Sequence, residues 1–313
     1  MSRDRIKMVS ALLRSLAALD TGPDFTFSIV LVENGDEGIL QSVADEFRQY
    51  APGIDIEYLK EPVIGVASAR NCALNYAIDA GFDKLAFVDD DEIVRPSWIS
   101  NLYRSMKRRN LDLVGGPVIP FAKDPPDGII ETVILRNLLA RSSRIQRVSR
   151  YLETRDRDGS IMLATNNWMT DLDFCRKNNL RFDIIYNLTG GEDSGFFYAA
   201  KRAGAKTGWC TQAFVDEEVP AVRLTVGYQF RRSRDQSLVS FRRKYKKRPY
   251  LKWLIIPIGS LYKFVAGLLL LILAPFTLGK TLLSSIRALG QALGRIFGLF
   301  GYHTFHYEKT TGY

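Results

Sequence analysis

Between Trp253 and Leu278 the chain carries one charge, Lys263, in 26 residues, and from Phe264 to Leu278 it carries none. Few features restrict a fold more, because roughly 20 apolar residues are enough to cross a bilayer. The residues just before this run point the same way. Residues 223–252 hold eleven Arg and Lys against one acid, Asp235, so the net charge of +9 resides in this segment and the rest of the chain is near neutral. A basic cluster beside an apolar run reads as a membrane anchor whose charges face anionic lipid on the cytoplasmic side. Pro257, Lys263 and Pro275 interrupt the run, and basic residues flank it on both sides. Positive charge prefers the cytoplasmic face, so an in-plane or re-entrant course is favoured over a single crossing, and a buried core helix is the alternative. Further on, Leu282, Leu283, Ile286, Leu289, Leu293 and Ile296 recur at helical spacing opposite Arg287 and Arg295, as in an interfacial helix. Residues 1–19 are an amphipathic pattern broken by Arg5, Lys7 and Arg14, unlike a signal peptide.

The remaining body is limited in the chemistry it can carry. Cys72, Cys175 and Cys210 are odd in number and widely spaced, which excludes a disulfide framework and a CxxC metal site and fits a reducing cytoplasm. Both histidines, His303 and His306, stand at the C-terminal end, which argues against Ser-His-Asp, Cys-His or His-ligated zinc chemistry in the body. A catalytic body must therefore use carboxylates. Residues 1–220 alternate between β-rich runs and helical patterns, the mark of an α/β domain with a mainly parallel sheet. We expect helices over 6–19, 66–80 and from Pro96, and strands over 25–32, 54–59, 84–88 and 111–119. Residues 121–160, with an apolar helical stretch from Ile129 to Leu139, read as an insertion over one end of the sheet, and 161–220 return to strand, helix and strand.

Ligands of open α/β sheets bind beyond the carboxyl ends of the strands. The loop after Leu85-Ala-Phe-Val88 reads Asp89-Asp90-Asp91-Glu92. Four consecutive acids repel unless a cation shares them, and their oxygens suit Mg²⁺ or Mn²⁺; a solvated acidic turn is the plainer alternative. A second candidate is Gly190-Gly191-Glu192-Asp193-Ser194, which opens a helix. The helix dipole favours carboxylates there, as in any N-terminal cap, but paired glycines would also let a substrate approach the backbone. The third is Gly65-Val-Ala-Ser-Ala-Arg70-Asn71, whose guanidinium near a helix start could bind a phosphate or carboxylate, or simply be exposed.

Taken in order, Val32-Glu33-Asn34-Gly35, Gly65 with Arg70-Asn71, Phe87-Val88-Asp89-Asp90-Asp91 followed by Pro96 and Trp98, and Gly191-Glu192-Asp193 resemble glycosyltransferase family 2, the inverting nucleotide-sugar transferases of GT-A fold. Within it, Asn71-Cys-Ala-Leu, Thr165-Asn166-Asn167 and Phe214–Pro220 look most like bacterial exopolysaccharide enzymes of the succinoglycan-biosynthesis type. The resemblance implies a GT-A domain over 1–222, a basic juxtamembrane segment over 223–252, membrane-associated helices over 253–300 and a tail over 301–313. It implies that Asp91 and Asp89 hold Mn²⁺ or Mg²⁺, and that Glu33, Arg70, Asp89 and Asp90 bind the nucleotide. Asp193 would be the general base, with Glu192 orienting the acceptor. The implied activity moves a sugar from a nucleotide-sugar donor, a UDP-sugar with UDP-glucose as the first candidate, to a lipid-linked oligosaccharide at the cytoplasmic face of the bacterial inner membrane.

Three departures accompany the resemblance. Family members begin with a strand that lies centrally in the sheet, whereas this sequence starts at Met1-Ser-Arg-Asp-Arg5, so the first strand is expected to be missing. Glu33 replaces an Asp, and Asp216-Glu217-Glu218 stands where relatives carry a His as an extra metal ligand. The rival function is a binding or scaffold protein without turnover. Nucleic-acid binding is set aside because the basic segment joins directly onto the apolar run, and Gly279-Lys280-Thr281 is not a P-loop because Ala274 replaces the first glycine.

Overall fold

The computed structural model describes residues 5–245, 251–300 and 302. Lys246, Lys247 and Arg248 of the basic segment, and most of the 301–313 tail with both histidines, lie outside the described residues. In chain order the regular elements are α1 (Ile6–Ala17), β1 (Ile29–Asn34), α2 (Gln41–Tyr50), β2 (Ile56–Glu61), α3 (Val66–Asp79), β3 (Lys84–Val88), β4 (Glu92–Val94), α4 (Trp98–Arg109), β5 (Leu113–Gly115) and β6 (Val118–Phe121). They continue with α5 (Ile129–Glu153), β7 (Asn167–Asp171), α6 (Leu172–Lys177), α7 (Glu192–Arg202), β8 (Thr207–Trp209), β9 (Val215–Glu218), α8 (Val226–Tyr245), α9 (Leu251–Ile272) and α10 (Leu282–Leu299).

The α/β architecture is as expected, but the strands are mixed rather than mainly parallel. Strands β1 and β2 pair in parallel, as do β5 with β8 and β6 with β9, whereas β7 runs against both β3 and β5, and β4 runs against β9. The reversals arise because β7 reaches the sheet after the long α5 excursion, and β4 leaves the β3 edge through a tight turn to join β9. Strands β1 and β3 lie in separate sheets, of order β1-β2 and β3-β7-β5-β8. Among the described residues no ladder bridges them. The expected 111–119 strand is split at Gly116-Pro117. Pro117 has no N–H to donate, and a Cβ on Gly116 would meet the Ala213 carbonyl.

Two cores flank the sheets. Val9, Leu12, Leu13 and Leu16 of α1 pack with Leu31, Val94, Trp98 and Leu102 on one side, while Trp168, Phe182, Phe196 and Leu74 pack on the other. A third cluster of Ile134, Val219, Leu224, Leu283 and Ile286 joins α5, the end of β9 and α10, so packing is continuous across residue 222.

One buried ion pair fixes the far end of this body. Asp158, 1% exposed, accepts hydrogen bonds from Arg109 at 2.6 and 2.9 Å and from the Trp209 amide at 2.5 Å. Burial raises the Asp158 pKa, but Arg109 and the Trp209 amide outweigh it and hold the carboxyl below its usual value. Arg109→Leu would leave that carboxylate buried and unpaired, so it should cost about 3 kcal/mol at neutral pH by urea unfolding. The loss should shrink as pH falls below about 4, because a depressed carboxyl stabilises the fold above its unfolded pKa and stops doing so on protonation. Equal midpoints for both proteins at neutral pH would refute this.

Candidate active site

Strand β3 ends at Val88 and the chain turns through Asp89-Asp90-Asp91 into β4. The turn is braced by Glu92, whose carboxylate accepts the Asp89 amide at 2.7 Å and the Asn166 side-chain amide at 2.9 Å. Glu92 is 1% exposed, and burial followed by the neighbouring Asp89 charge pushes its pKa well up. The fourth acid of the tetrad is therefore a structural brace. The other three each face a guanidinium. Asp89 meets Arg70 at 3.1 Å, Asp90 meets Arg5 at 2.7 Å, and Asp91 meets Arg223 at 2.9 Å and Arg5 at 3.5 Å. Burial raises the Asp91 pKa and Arg223 opposes it, while Asp89 and Asp90 add to the rise.

Arg5 and Arg223 are the residues that sequence reasoning missed. Arg223 was expected in the membrane anchor, yet it lies buried against the acidic turn, with Glu217 of β9 3.4 Å away. The available signal was its isolation, since the next basic residue is Arg231. Glu217 stands opposite Glu92 in the β4–β9 ladder. Burial and the nearby Asp91 raise its pKa, so the Asp216-Glu217-Glu218 run does border the turn.

The other motifs converge through Arg70. Its guanidinium, on a residue only 5% exposed, bridges Asp89 and the carboxylate of Glu192 at the start of α7. Glu192 is turned inward onto Arg70; burial pushes its pKa up and Arg70 opposes the shift. Asp193, half-buried beside it, holds Oδ1 on the Ser194 amide at 2.5 Å and on the Ser194 hydroxyl at 3.1 Å. The chain enters α7 through Gly190 and Gly191 at φ of 75° and 94°, conformations that cost a side-chain-bearing residue energy. A Cβ on Gly191 would also press on Val239 of α8, so the helix that leads toward the apolar run borders the α7 N-terminus.

Helix α3 is set by a second tie. Asn34 at the end of β1 accepts the Gly65 amide at 2.8 Å and donates to the carbonyls of Glu61 and Val63, while Asn187 accepts the Ser68 amide at 2.8 Å. These bonds fix where Arg70 points. Glu33, expected at the nucleotide base, is 4% exposed and accepts the amides of Ile39 and Leu40 and the Tyr58 hydroxyl. Burial raises its pKa, but the Tyr58 hydroxyl and those amides outweigh it and leave the carboxyl below its usual value. Glu33 thus shapes the 35–40 loop.

Gly65 has φ of 146°, and a Cβ there would collide with the Asn187 side chain. Gly65→Ala should therefore destabilise the protein by about 2 kcal/mol and displace Arg70. Thermal unfolding checks the first effect; a midpoint equal to wild type would show that this approach tolerates a side chain.

The comparisons with known proteins agree with this geometry. The chain is 26% identical over 221 residues to the succinoglycan biosynthesis protein ExoM of Rhizobium meliloti (strain 1021), a match spanning 70% of this chain and 66% of that protein, just under two thirds of its length. Its fold is similar to that of the mannosyltransferase PcManGT from Pyrobaculum calidifontis, solved in complex with GDP-Man and Mn²⁺, with a TM-score of 0.61 at 12% identity over 96% of this chain and 86% of the other. It is also similar to residues 1–349 of S. aureus TarS, with a TM-score of 0.50 at 15% identity over 96% and 90%. The model of glycosyl transferase family 2 matches residues 2–167, more than half of the sequence, and includes the β1 end, Gly65 to Asn71 and the acidic turn. The chain belongs to glycosyl transferase family 2.

Proposed function

We propose that this glycosyltransferase moves a sugar, with inversion, from a nucleotide-sugar to a lipid-linked saccharide at the cytoplasmic face of the bacterial inner membrane, in exopolysaccharide synthesis. The observation that carries this reading is the Arg70 bridge, which sets the donor-side turn of Asp89 and the acidic N-terminus of α7 side by side. The donor is a UDP-sugar, with UDP-glucose the first candidate. Arg70 and Asp89 hold its ribose and diphosphate, and Arg5 with Asp90 lines the same turn. Oδ1 of Asp193 is held by Ser194, which leaves Oδ2 to take the acceptor hydroxyl proton. As that proton leaves, the acceptor oxygen bonds to the anomeric carbon, and the bond from this carbon to the diphosphate breaks with its electron pair. Glu192, locked on Arg70, positions the α7 turn. No covalent intermediate is needed.

Asp89 fits a small divalent cation, since it supplies hard oxygens and keeps its side chain 38% exposed, whereas Asp91 would join it only by exchanging a guanidinium partner for the ion. Among the described residues no three metal-binding side chains cluster, so one or two carboxylates together with substrate phosphate would have to hold Mn²⁺ or Mg²⁺. When bound, the ion would stabilise the charge of the departing diphosphate.

The scaffold reading keeps one observation in its favour: among the described residues no strand pairs β1 with β3. Two variants separate the readings. Asp89→Asn should abolish the Mn²⁺ dependence of UDP binding in calorimetry, since a neutral amide is a poorer ligand for a hard cation. Asp193→Asn should keep UDP affinity while slowing transfer to membrane-extracted acceptor by roughly 10² to 10⁴. Transfer at the wild-type rate would reduce Asp193 to a helix cap. A wild-type protein inert with every common UDP-sugar would favour the scaffold.

A further inference from the structure

We infer that α9 lies flat in one leaflet of an anionic bilayer, and that the N-terminal turn of α5 and the α9–α10 turn dip into the same leaflet as a second contact. The inference rests on the membrane association proposed above and assigns its geometry. Helix α9 has the length and composition of a span: its Ile255–Ile272 window is only 17% buried, with Leu261 64% and Leu269 57% exposed. A crossing would carry the α9–α10 turn to the opposite side of a hydrocarbon core about 30 Å thick.

The turn is not free to go there. Arg136 of α5 donates to the Leu278 carbonyl, and Asn137 donates to the Gly279 carbonyl at 2.8 Å. Five residues further along the same helix, Ser142 donates to the Val118 carbonyl of β6 at 3.0 Å. At about 1.5 Å of rise per residue those two anchor points are roughly 8 Å apart along α5, so the turn is tied to the sheet edge at a fraction of the bilayer thickness. The other end of α9 is tied as well. Ile256 packs on Leu299, Arg295 donates to the Gly259 carbonyl at 3.2 Å, and Ser237 of α8 donates to the Gln291 carbonyl of α10 at 3.0 Å. Both ends of the hairpin therefore stay on the side of the catalytic body.

What the hairpin exposes matches a lipid leaflet. Beside the turn, Phe276 is 81% and Leu278 74% exposed, and Ile129 at the start of α5 is 85% exposed. Arg136 and Lys280 flank this apolar tip, where anionic headgroups would meet them. Residues 129–130 were part of the presumed insertion, outside the anchor expected from the sequence.

The test uses the full chain expressed in bacteria, with Lys280→Cys as the reporter and wild type as the blank. A membrane-impermeant maleimide should label Lys280→Cys in inverted inner-membrane vesicles and fail to label it in intact spheroplasts. Labelling from the spheroplast exterior alone would show a crossing and overturn the inference. Independently, an environment-sensitive dye on Ile129→Cys should shift to the blue when the purified protein meets vesicles of phosphatidylcholine and phosphatidylglycerol. A dye that stays in a water-like environment while the protein pellets with those vesicles would remove α5 from the contact. UDP binding of both variants should equal wild type, which reports the fold. None of these readouts depends on sugar transfer, so failure here leaves the transferase reading standing, and loss of transfer leaves this one.

Discussion

The site depends on how the carboxylates after β3 are kept together. Asp89, Asp90 and Asp91 repel one another, and the buried Glu92 and Glu217 sharpen the conflict. Three guanidiniums relieve it: Arg5 from the start of α1, Arg70 from α3 and Arg223 from the segment after β9. These residues are far apart in sequence, so the acidic turn acts as a meeting point for the N-terminal helix, the central helix and the entry to the C-terminal helices. Breaking a buried pair leaves an uncompensated charge, which is why such a turn resists piecemeal change.

A second consequence concerns the junction between the body and the C-terminal helices. Arg223 grips Asp91, Leu224 enters a cluster with Ile134 and Ile286, and Val239 lies against Gly191. The segment that begins as an acid-binding arm thus becomes the helix bordering the α7 N-terminus, then leads toward the apolar hairpin. On the proposed reading, the acceptor hydroxyl would meet Asp193 beside the element that leads to the lipid surface. An acceptor confined to the bilayer needs little reach in such an arrangement.

Much of this was legible from the sequence, for identifiable reasons. Helix α1 shows itself through apolar periodicity, α3 through a small-residue helical run closed by Gly81, and β3 through a continuous apolar run at Lys84–Val88 that ends sharply in acids. The short β4 was illegible, since three residues of Glu-Ile-Val carry no period of their own and form a strand only by pairing with β9. The break between β5 and β6 was signalled by Gly116-Pro117 and still masked by apolar residues on either side. Helix α5 runs to Glu153, well past Leu139, because its later apolar positions alternate with arginines and blur the pattern. In the site, motif residues with local signatures were found, whereas Arg5 and Arg223 work through contacts 85 and 132 residues away from their own positions, beyond the reach of any local pattern. Glu33 shows how a local signature can serve two readings: a carboxylate at a strand end invites a ligand role, and here it also braces the 35–40 loop through the Tyr58 hydroxyl and two loop amides.

The split between the β1–β2 and β3-containing sheets bears on how the acidic turn is held. Strand β1 is tied to α3 through Asn34 and Gly65, and α3 is tied to β3's acidic turn through Arg70 and Asp89. Without a backbone ladder, the two sheets are joined by shared apolar packing, Val32 with Phe87 and Leu31 with Val94 just past the acidic turn, and by these side-chain bonds across a helix. Hydrogen bonds to charged groups are worth about 1.5–3 kcal/mol, more than a neutral backbone bond, but they are few and directional. Beside that packing, the direction in which β1 and the acidic turn face each other is set by Arg70, Asn34 and the glycine that lets Asn187 close over α3. This gives Arg70 two tasks at once, alignment of the sheets and the pairing of Asp89 with Glu192, and it explains why an arginine fits where a lysine would not: only a planar fork can hold two carboxylates from different elements in fixed directions.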